Sequence, residues 1–236
     1  MILNKSYREF WKNQTTPLHR MNDEKTYKAY AQELSNIFSY LGYFNGKILE
    51  IGCGNGALFP FFDFDHRLYT GIDFSPSLMK IFRANYPNVS LIECDAADFI
   101  PDDKYNLIFG NAVHQHFSKK MLTYHVKNML SCLTDGGALV LANVPYSKFR
   151  NNLFYGELFP NSHRDSLSIK SLKRRLSPIY QLLTTRSDGI GFWYSIKDIQ
   201  EITGENYTVD IFGSNFYPYR VHFGIKKTLH DNEGKI

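Results

Sequence analysis

The sequence feature that most constrains the fold is an apolar run at residues 47–51 that is followed by glycines at alternate positions, Gly52, Gly54 and Gly56. A buried parallel strand has this apolar character, and glycines allow the backbone to turn tightly and to approach a ligand closely. A second apolar run ends in Asp73, about 20 residues further on, where a carboxylate can bind a ribose hydroxyl. The sequence therefore predicts a strand–turn unit that binds a nucleoside-bearing ligand.

The glycine loop has two interpretations. The pattern Gly52-x-Gly54-x-x-Ala57 matches the dinucleotide-binding fingerprint, which is a weak signal on its own. Three further features favour a different ligand: an acidic residue, Glu50, precedes the loop; Gly56 adds a third glycine; and a third predicted strand ends in Cys94-Asp95-Ala96.

With these features the sequence resembles the class I S-adenosylmethionine-dependent methyltransferases. Their first motif, an acidic residue, any residue and then Gly-x-Gly-x-Gly, matches residues 50–56. The resemblance implies that Asp73 binds the ribose and Asp95 the adenine amino group, although either acid could instead cap a helix or end a strand in solvent. Residues 106–113 resemble the family's fourth strand and the segment beside the transferred methyl group.

The resemblance implies S-adenosylmethionine as the cofactor and S-adenosylhomocysteine as its product. Glu50 would order the loop or contact the amino group of the cofactor. The expected cofactor-binding residues are Glu50, Gly52, Cys53, Gly54, Asn55, Gly56, Asp73, Phe74, Asp95, Ala96, Ala97, Asn111 and Ala112.

Candidate catalytic residues follow the fourth predicted strand, at the sheet edge where ligands bind in such folds. Asn111 would lie near the methyl group, and His114 or His116 would act as general base if the acceptor is an alcohol, because imidazole titrates near the working pH. Alternatively, these histidines hold the loop to the next helix, and an ionised acceptor needs no base. We predict His125 on a helix surface and assign no role to His222.

Basic and aromatic residues outside the core are candidates for binding the acceptor. An anionic acceptor group, such as a phosphate or a carboxylate, would be recognised by arginine. A solvated, exposed charge is the alternative for His19 and Arg20. The predicted substrate-binding residues are His19, Arg20, Tyr146, Arg150, His163 and Arg164.

The order of elements predicts the fold class. Strands that alternate with helices indicate an α/β, doubly wound, mostly parallel sheet of Rossmann-like type. The resemblance implies seven strands with a reversed last strand, which is not typical of dinucleotide dehydrogenases. We expect a single domain, with N-terminal helices as a lid (residues 1–45, with Asn22 capping the longer one), a cofactor-binding core (47–144), a helical cap insertion (146–194) and a final helix and β-hairpin (195–229).

Composition limits the possible partners. The chain has 236 residues, of which 43% are apolar, and its net charge of +4 is too weak to indicate nucleic acid. Three cysteines without metal or disulfide spacing predict no metal site and a cytoplasmic location, and no apolar run approaches the ~20 residues that span a bilayer. We expect a monomer or homodimer that acts on a small molecule.

The leading functional prediction is methyl transfer to an oxygen of a small polar or anionic acceptor, such as a sugar, a phosphorylated sugar or a surface-glycan substituent. N-methylation of an amino sugar or a base is the nearest alternative. Two other classes remain open: an NAD-binding oxidoreductase, favoured by the nominal dinucleotide fingerprint, and a pseudo-enzyme that binds the cofactor without turnover.

Overall fold

The computed structural model describes residues 23–154 and 191–227. Its strands are β1 (Ile48–Ile51), β2 (Tyr69–Asp73), β3 (Ser90–Glu93), β4 (Tyr105–Asn111), β5 (Leu133–Pro145), β6 (Tyr207–Gly213) and β7 (Arg220–Lys227). Its α-helices are α1 (Glu24–Tyr40), α2 (Pro76–Asn85), α3 (Lys119–Ser131), α4 (Arg150–Phe154) and α5 (Ile196–Thr203).

The seven strands form one sheet in the order β3-β2-β1-β4-β5-β7-β6. Strands β1 to β5 pair in parallel, whereas β7 pairs antiparallel with both β5 and β6. The predicted α/β fold with a reversed last strand is therefore confirmed. Because β7 runs backwards, its first residue, Arg220, pairs with Pro145 at the end of β5. The loop between β6 and β7 therefore lies at the carboxyl edge of the parallel strands.

Two layers of helices cover the sheet. On one face, α1 buries Ala31, Leu34 and Phe38 against a cluster that includes Phe109 of β4. On the other face, α3 and α5 pack against a second core cluster, to which they contribute Leu122 and Ile199. Successive residues of a strand point to opposite faces, so neighbouring residues at the end of β4 serve different layers.

Short polar residues cap three of the helices. The Ser75 hydroxyl accepts from the Leu78 amide before α2, and the Ser118 hydroxyl accepts from the Met121 amide before α3. The predicted cap of α1, Asn22, is corrected to Asp23, because the helix begins at Glu24 and the Asp23 carboxylate accepts from the Thr26 amide at 2.9 Å.

The segment after the glycine loop also differs from expectation. The sequence predicts a short helix there, but residues 52–68 contain only two 3₁₀ turns, Phe59–Phe61 and His66–Leu68. Phe59 is buried and its ring packs against Tyr69 and Phe82, so this segment acts as apolar packing. The amide groups available to a ligand therefore belong to the loop itself.

Two predicted regions lie outside the described residues: most of the cap insertion, at 155–190, and the N-terminal segment, at 1–22. Within the two described ranges, no helix combines the length and the apolar character that a membrane crossing requires.

Candidate active site

The glycine loop after β1 has a left-handed backbone at all three motif glycines. The φ angles are +70° at Gly52, +55° at Gly54 and +74° at Gly56, which side-chain-bearing residues rarely adopt. A Cβ at Gly52 would lie 2.3 Å from Val113 Cγ2, and one at Gly56 would lie 2.6 Å from the Phe82 ring. At Gly54 the nearest atom would be 3.8 Å away, so the protein leaves space there. Gly52 and Gly56 thus permit close packing, and Gly54 leaves room for a ligand.

Asp73, at the end of β2, is connected to this loop. Its Oδ2 accepts from the Gly54 amide at 3.0 Å, and its Oδ1 accepts from the Ser75 amide at 2.8 Å. Burial raises the pKa of Asp73, Asp95 adds a smaller increase, and the two amides oppose the shift. A carboxylate oxygen has two lone pairs, so Asp73 can fix the loop and still accept from a ribose diol.

Glu50 lies beneath the loop and not in solvent. Its side chain is 5% exposed, and its Oε2 accepts from the Tyr69 hydroxyl at 2.5 Å. Burial raises the pKa of Glu50 to about 7, against which the Tyr69 hydrogen bond acts. Its neighbour Cys53 is buried as well, with Sγ 3.7 Å from Met79 Sδ.

The loop after β3 is held by a buried histidine. Asp95 Oδ1 accepts from the Ala97 amide at 2.9 Å, and the Ala96 carbonyl lies 2.9 Å from Nδ1 of His125. The prediction that His125 lies on a helix surface is wrong, because its ring is 1% exposed. Burial lowers the pKa of His125 to about 4, so a neutral ring donates from Nδ1 to the carbonyl. His125 thus fixes the loop that carries Asp95.

Asn111, at the end of β4, is connected to α1. Its Oδ1 accepts from the buried Tyr30 hydroxyl at 2.7 Å. The next residue, Ala112, has φ +56°, and its amide donates to the Ala142 carbonyl at 3.0 Å. A left-handed alanine is strained, and such strain concentrates at functional sites. The backbone therefore leaves the sheet abruptly directly after Asn111.

The two candidate bases occupy different environments. His114 is fully buried beside Gly110, Phe117 and His125, on the face opposite Asn111. Its ring nitrogens have no hydrogen-bond partner among the described residues, and burial holds its pKa well below the usual range. His116 is partly exposed, and its Nε2 lies 3.0 Å from Gln115 Nε2.

Burial and the charge of Arg220 lower the pKa of His116 to about 4. A base of that pKa is neutral at pH 7 but accepts a proton weakly. His116 therefore lies close enough to Arg220 of β7 for that charge to lower its pKa. The enclosed position of His114 does not support a role as a base.

A second cluster, which the sequence analysis did not identify as part of the site, surrounds Arg220. Its Nη1 donates to the Asn143 carbonyl at 2.8 Å, and its guanidinium carbon lies 5.4 and 5.3 Å from the ring centroids of Tyr217 and Tyr219. Asn143 has φ +60° and lies where the β5–β7 register shifts. The irregularity turns its carbonyl toward the guanidinium.

His222 and Glu33 connect this cluster to α1. His222 is fully buried, and its Nε2 lies 3.3 Å from Glu33 Oε1, which also accepts from the Asn215 amide at 2.8 Å. The Asn143 amide donates to His222 Nδ1 at 3.3 Å. The two ring nitrogens of His222 therefore face different groups, Nδ1 the Asn143 amide and Nε2 the glutamate. Asn215 and Glu33 are 182 positions apart in the sequence, so no local pattern could predict their contact. The one sequence signal for this cluster was the group of aromatic residues in the β6–β7 loop.

The predicted acceptor-binding residues are only partly described. His19, Arg20, His163 and Arg164 lie outside the described residues. Arg150 is the first residue of α4 and is partly buried. The Tyr146 amide donates to the Tyr219 carbonyl at 2.9 Å, and its ring packs on Phe149 and Phe223.

These residues fit a nucleoside-bearing ligand. The open space at Gly54 follows β1, and Asp73 and Asp95 lie at the same edge of the sheet, after the neighbouring strands β2 and β3. In the described ranges no group of three or more histidine, cysteine or acidic side chains is arranged to hold a metal ion.

Comparison with known proteins gives the family. A family model described as a methyltransferase domain matches residues 48–137, from β1 into β5. This range contains the glycine loop, Asp73, Asp95 and Asn111. Residues 48–137 therefore match a methyltransferase domain, in line with the resemblance of the sequence to the class I S-adenosylmethionine-dependent methyltransferases.

Curated relatives of the chain are distant. Malonyl-[acyl-carrier protein] O-methyltransferase 1 of Ilyobacter polytropus is 26% identical over 209 residues, which cover 82% of this chain and 66% of the relative. Trans-aconitate 2-methyltransferase of Rhizobium rhizogenes is 23% identical over 156 residues, 63% of this chain and 60% of the relative. The chain thus spans slightly less than two thirds of the length of these relatives.

Solved structures share the fold over nearly the whole chain. The N-methyltransferase NodS of Bradyrhizobium japonicum with S-adenosylhomocysteine has a TM-score of 0.60 and 16% identity, with 94% of this chain and 97% of that chain covered. Magnesium protoporphyrin IX methyltransferase of Synechocystis with bound S-adenosylmethionine has a TM-score of 0.57 and 13% identity, with 97% and 98% covered.

The predicted family and its cofactor, S-adenosylmethionine, are therefore confirmed, and the NAD-binding alternative loses its support. The subdivision of the domain, the individual site residues, the cytoplasmic location and the oligomeric state stay predictions.

Proposed function

We propose that this methyltransferase transfers the methyl group of S-adenosylmethionine to an already ionised oxygen of a small anionic acceptor. The observation that carries the proposal is the environment of the two histidines, His114 and His116, that follow Asn111 in the sequence. Burial and Arg220 lower the pKa of His116 to about 4, and His114 is enclosed on the opposite face. An ionised acceptor oxygen needs no proton acceptor, so the reaction proceeds without an efficient general base.

When bound, the cofactor would supply a methyl group activated by its sulfonium; an ionised acceptor oxygen would form the new C–O bond as the C–S bond breaks, leaving a methyl ester and a neutral thioether. The protein's task is then to position two reactants and exclude water. The Gly54 backbone and Asp73 would hold the cofactor, and Tyr30 fixes Asn111 beside the reacting centre through its 2.7 Å hydrogen bond.

Two curated relatives agree with this choice of acceptor. One is named as an O-methyltransferase of malonyl-acyl-carrier protein, and the other as a methyltransferase of the anion trans-aconitate. Sugars that carry an ionised group belong to the same chemical class and are included in the test. Amine acceptors are the alternative, so the test must distinguish methylation at a nitrogen from methylation at an oxygen.

The test is a methyl-transfer assay with labelled S-adenosylmethionine and a panel of carboxylates, phosphorylated sugars, nucleotide-linked sugars and amino sugars. We expect label in a methyl ester formed at an ionised oxygen of an anionic acceptor, identified by mass spectrometry. Label on an amine nitrogen would contradict the proposal. Binding of S-adenosylhomocysteine without turnover on any acceptor would instead support a pseudo-enzyme.

A further inference from the structure

Arg220 is a cation at the carboxyl edge of the sheet, and within the described ranges it has no carboxylate partner. It begins β7 opposite Pro145, and the ion pairs formed among the described residues do not include it. The acid of this cluster, Glu33, already accepts from Asn215 and faces His222. A charge that is partly removed from water and lacks a counter-ion is unfavourable unless a ligand supplies one.

The guanidinium is also held in a fixed orientation. The Asn143 carbonyl accepts from Nη1 at 2.8 Å, and the rings of Tyr217 and Tyr219 lie within 5.4 Å of the guanidinium carbon. Nε is buried and has no hydrogen-bond partner among the described residues. Fixing a planar donor group before binding lowers the entropy lost when it pairs with an anion.

The position of Arg220 relates it to the reaction. Its charge reaches His116, which follows Asn111 and the end of β4, and also reaches Tyr30, whose hydroxyl binds Asn111. The cation therefore lies on the acceptor side of the carboxyl edge, whereas Asp73 and Asp95 lie at the ends of β2 and β3.

Building on the proposed function, we propose that Arg220 binds an anionic group of the acceptor other than the oxygen that is methylated, and that the acceptor is a small di- or tricarboxylate. A guanidinium bound to the reacting oxygen would stabilise its lone pair and make the oxygen a weaker nucleophile. The charge is therefore more useful on a second anionic group, where it holds the acceptor in place. The planar guanidinium matches a carboxylate, and its single charge matches one carboxylate more closely than the roughly doubly charged phosphate.

The experiment titrates S-adenosylhomocysteine-saturated protein with trans-aconitate, malonate and glucose 6-phosphate in a calorimeter. The variants are Arg220→Gln and Arg220→Lys, and Arg67→Gln is the matched control. The Arg67 side chain is 87% exposed, pairs with Asp65 and precedes β2 at the opposite edge of the sheet.

We expect at least one polycarboxylate to bind the wild type. Arg220→Gln should weaken that binding by about tenfold or more, because it loses charge-assisted hydrogen bonds, and Arg67→Gln should leave it unchanged. In turnover, the Michaelis constant for the carboxylate should rise while kcat stays within about threefold, the pattern of lost uniform binding.

Arg220→Lys keeps the charge without the planar guanidinium and should also weaken binding. The folding of Arg220→Gln is judged from its melting temperature and its affinity for S-adenosylhomocysteine. If that variant does not fold, Arg220→Lys is used to test the inference. The inference is overturned if both polycarboxylates fail to bind, if Arg220 and Arg67 variants behave alike, or if only glucose 6-phosphate binds. Each of these leaves the proposed methyl transfer intact, whereas failure to bind S-adenosylhomocysteine would overturn the proposed function itself.

Discussion

The two halves of the carboxyl edge are built in different ways. The half proposed to bind the cofactor, called the cofactor half, lies at the ends of β1 to β3. It consists of loop backbone arranged by glycines and by two carboxylates, Asp73 and Asp95, that accept from nearby amides. The half proposed to bind the acceptor, called the acceptor half, lies at the ends of β4 and β5 and the start of β7. It consists of side chains from distant segments, such as Tyr30 with Asn111, and Arg220 with the carbonyl of Asn143.

Under the proposed function, this difference would allow one fold to keep its cofactor while its acceptor changes. A backbone cradle tolerates few substitutions, because Gly52 and Gly56 have no room for a side chain. A set of side chains on α1 and β7 can change one residue at a time without altering the sheet. We therefore expect substitutions in the first half to affect cofactor affinity and those in the second half to affect the acceptor.

The largest effect is expected for Gly54→Val. Its side chain would enter the open space of the loop and force a valine to φ +55°, so binding of S-adenosylhomocysteine should be lost. Gly136→Val is the matched control, because Gly136 has φ +76° with no atom within 4 Å of an added Cβ. Both variants should lose similar stability, and calorimetry should detect lost binding only in the first. Equal affinity in the two variants would remove Gly54 from the ligand site.

Glu50 should make the stability of the cofactor half depend on pH. Its folded pKa is raised to about 7 from 4.5, so its contribution is fully present below about pH 4.5 and is lost as the pH rises through about 7. Glu50→Gln should remove this dependence, which amounts to about 3 kcal/mol in the unfolding free energy. Urea unfolding of both proteins at several pH values measures it. If the unfolding free energy of the wild type and of Glu50→Gln changed with pH in the same way, Glu50 would not be the source of the pH dependence.

Asp73→Ala should weaken the binding of S-adenosylhomocysteine by more than about tenfold, because a charge-assisted acceptor for the ribose and the anchor of the Gly54 amide are both lost. Asp65→Ala serves as the control, since Asp65 accepts from the Arg67 amide just before β2. Calorimetric titration compares the two. An unchanged affinity in Asp73→Ala would refute the ribose assignment.

The smallest effect concerns the acceptor half. Tyr30→Phe removes the donor to Asn111 and should lower the unfolding free energy by about 1–2 kcal/mol and kcat several-fold, with cofactor affinity nearly unchanged. Tyr40→Phe, at the exposed end of the same helix, should change neither. Methyl-transfer assays stopped at fixed times measure kcat, and thermal melts measure the change in stability. A loss of cofactor affinity in Tyr30→Phe would mean that the two halves are not independent.

The same contrast explains what the sequence could predict. Residues 47–56 and Asp73 were predicted correctly as a strand, a glycine turn and a strand-end acid, because backbone requirements and apolar runs are local. His125 was wrongly placed on a surface, because its burial depends on the Ala96 carbonyl, 29 positions away. Arg220 and His222 received no role, since the reversal of β7 and the register shift at Asn143 bring them to the site. Such long-range contacts leave no periodic signal in a single sequence.

The measurement that most directly tests the central claim, transfer to an ionised oxygen without a protein base, is the pH dependence of kcat/KM with a carboxylate acceptor. It would be followed from about pH 5.5 to about pH 9 in the wild type and in His116→Asn. We predict the same plateau for both proteins, because the acceptor is ionised throughout and the pKa of His116, about 4, lies below this range. A limb near neutral pH in the wild type that disappears in His116→Asn would show a general base and contradict the account.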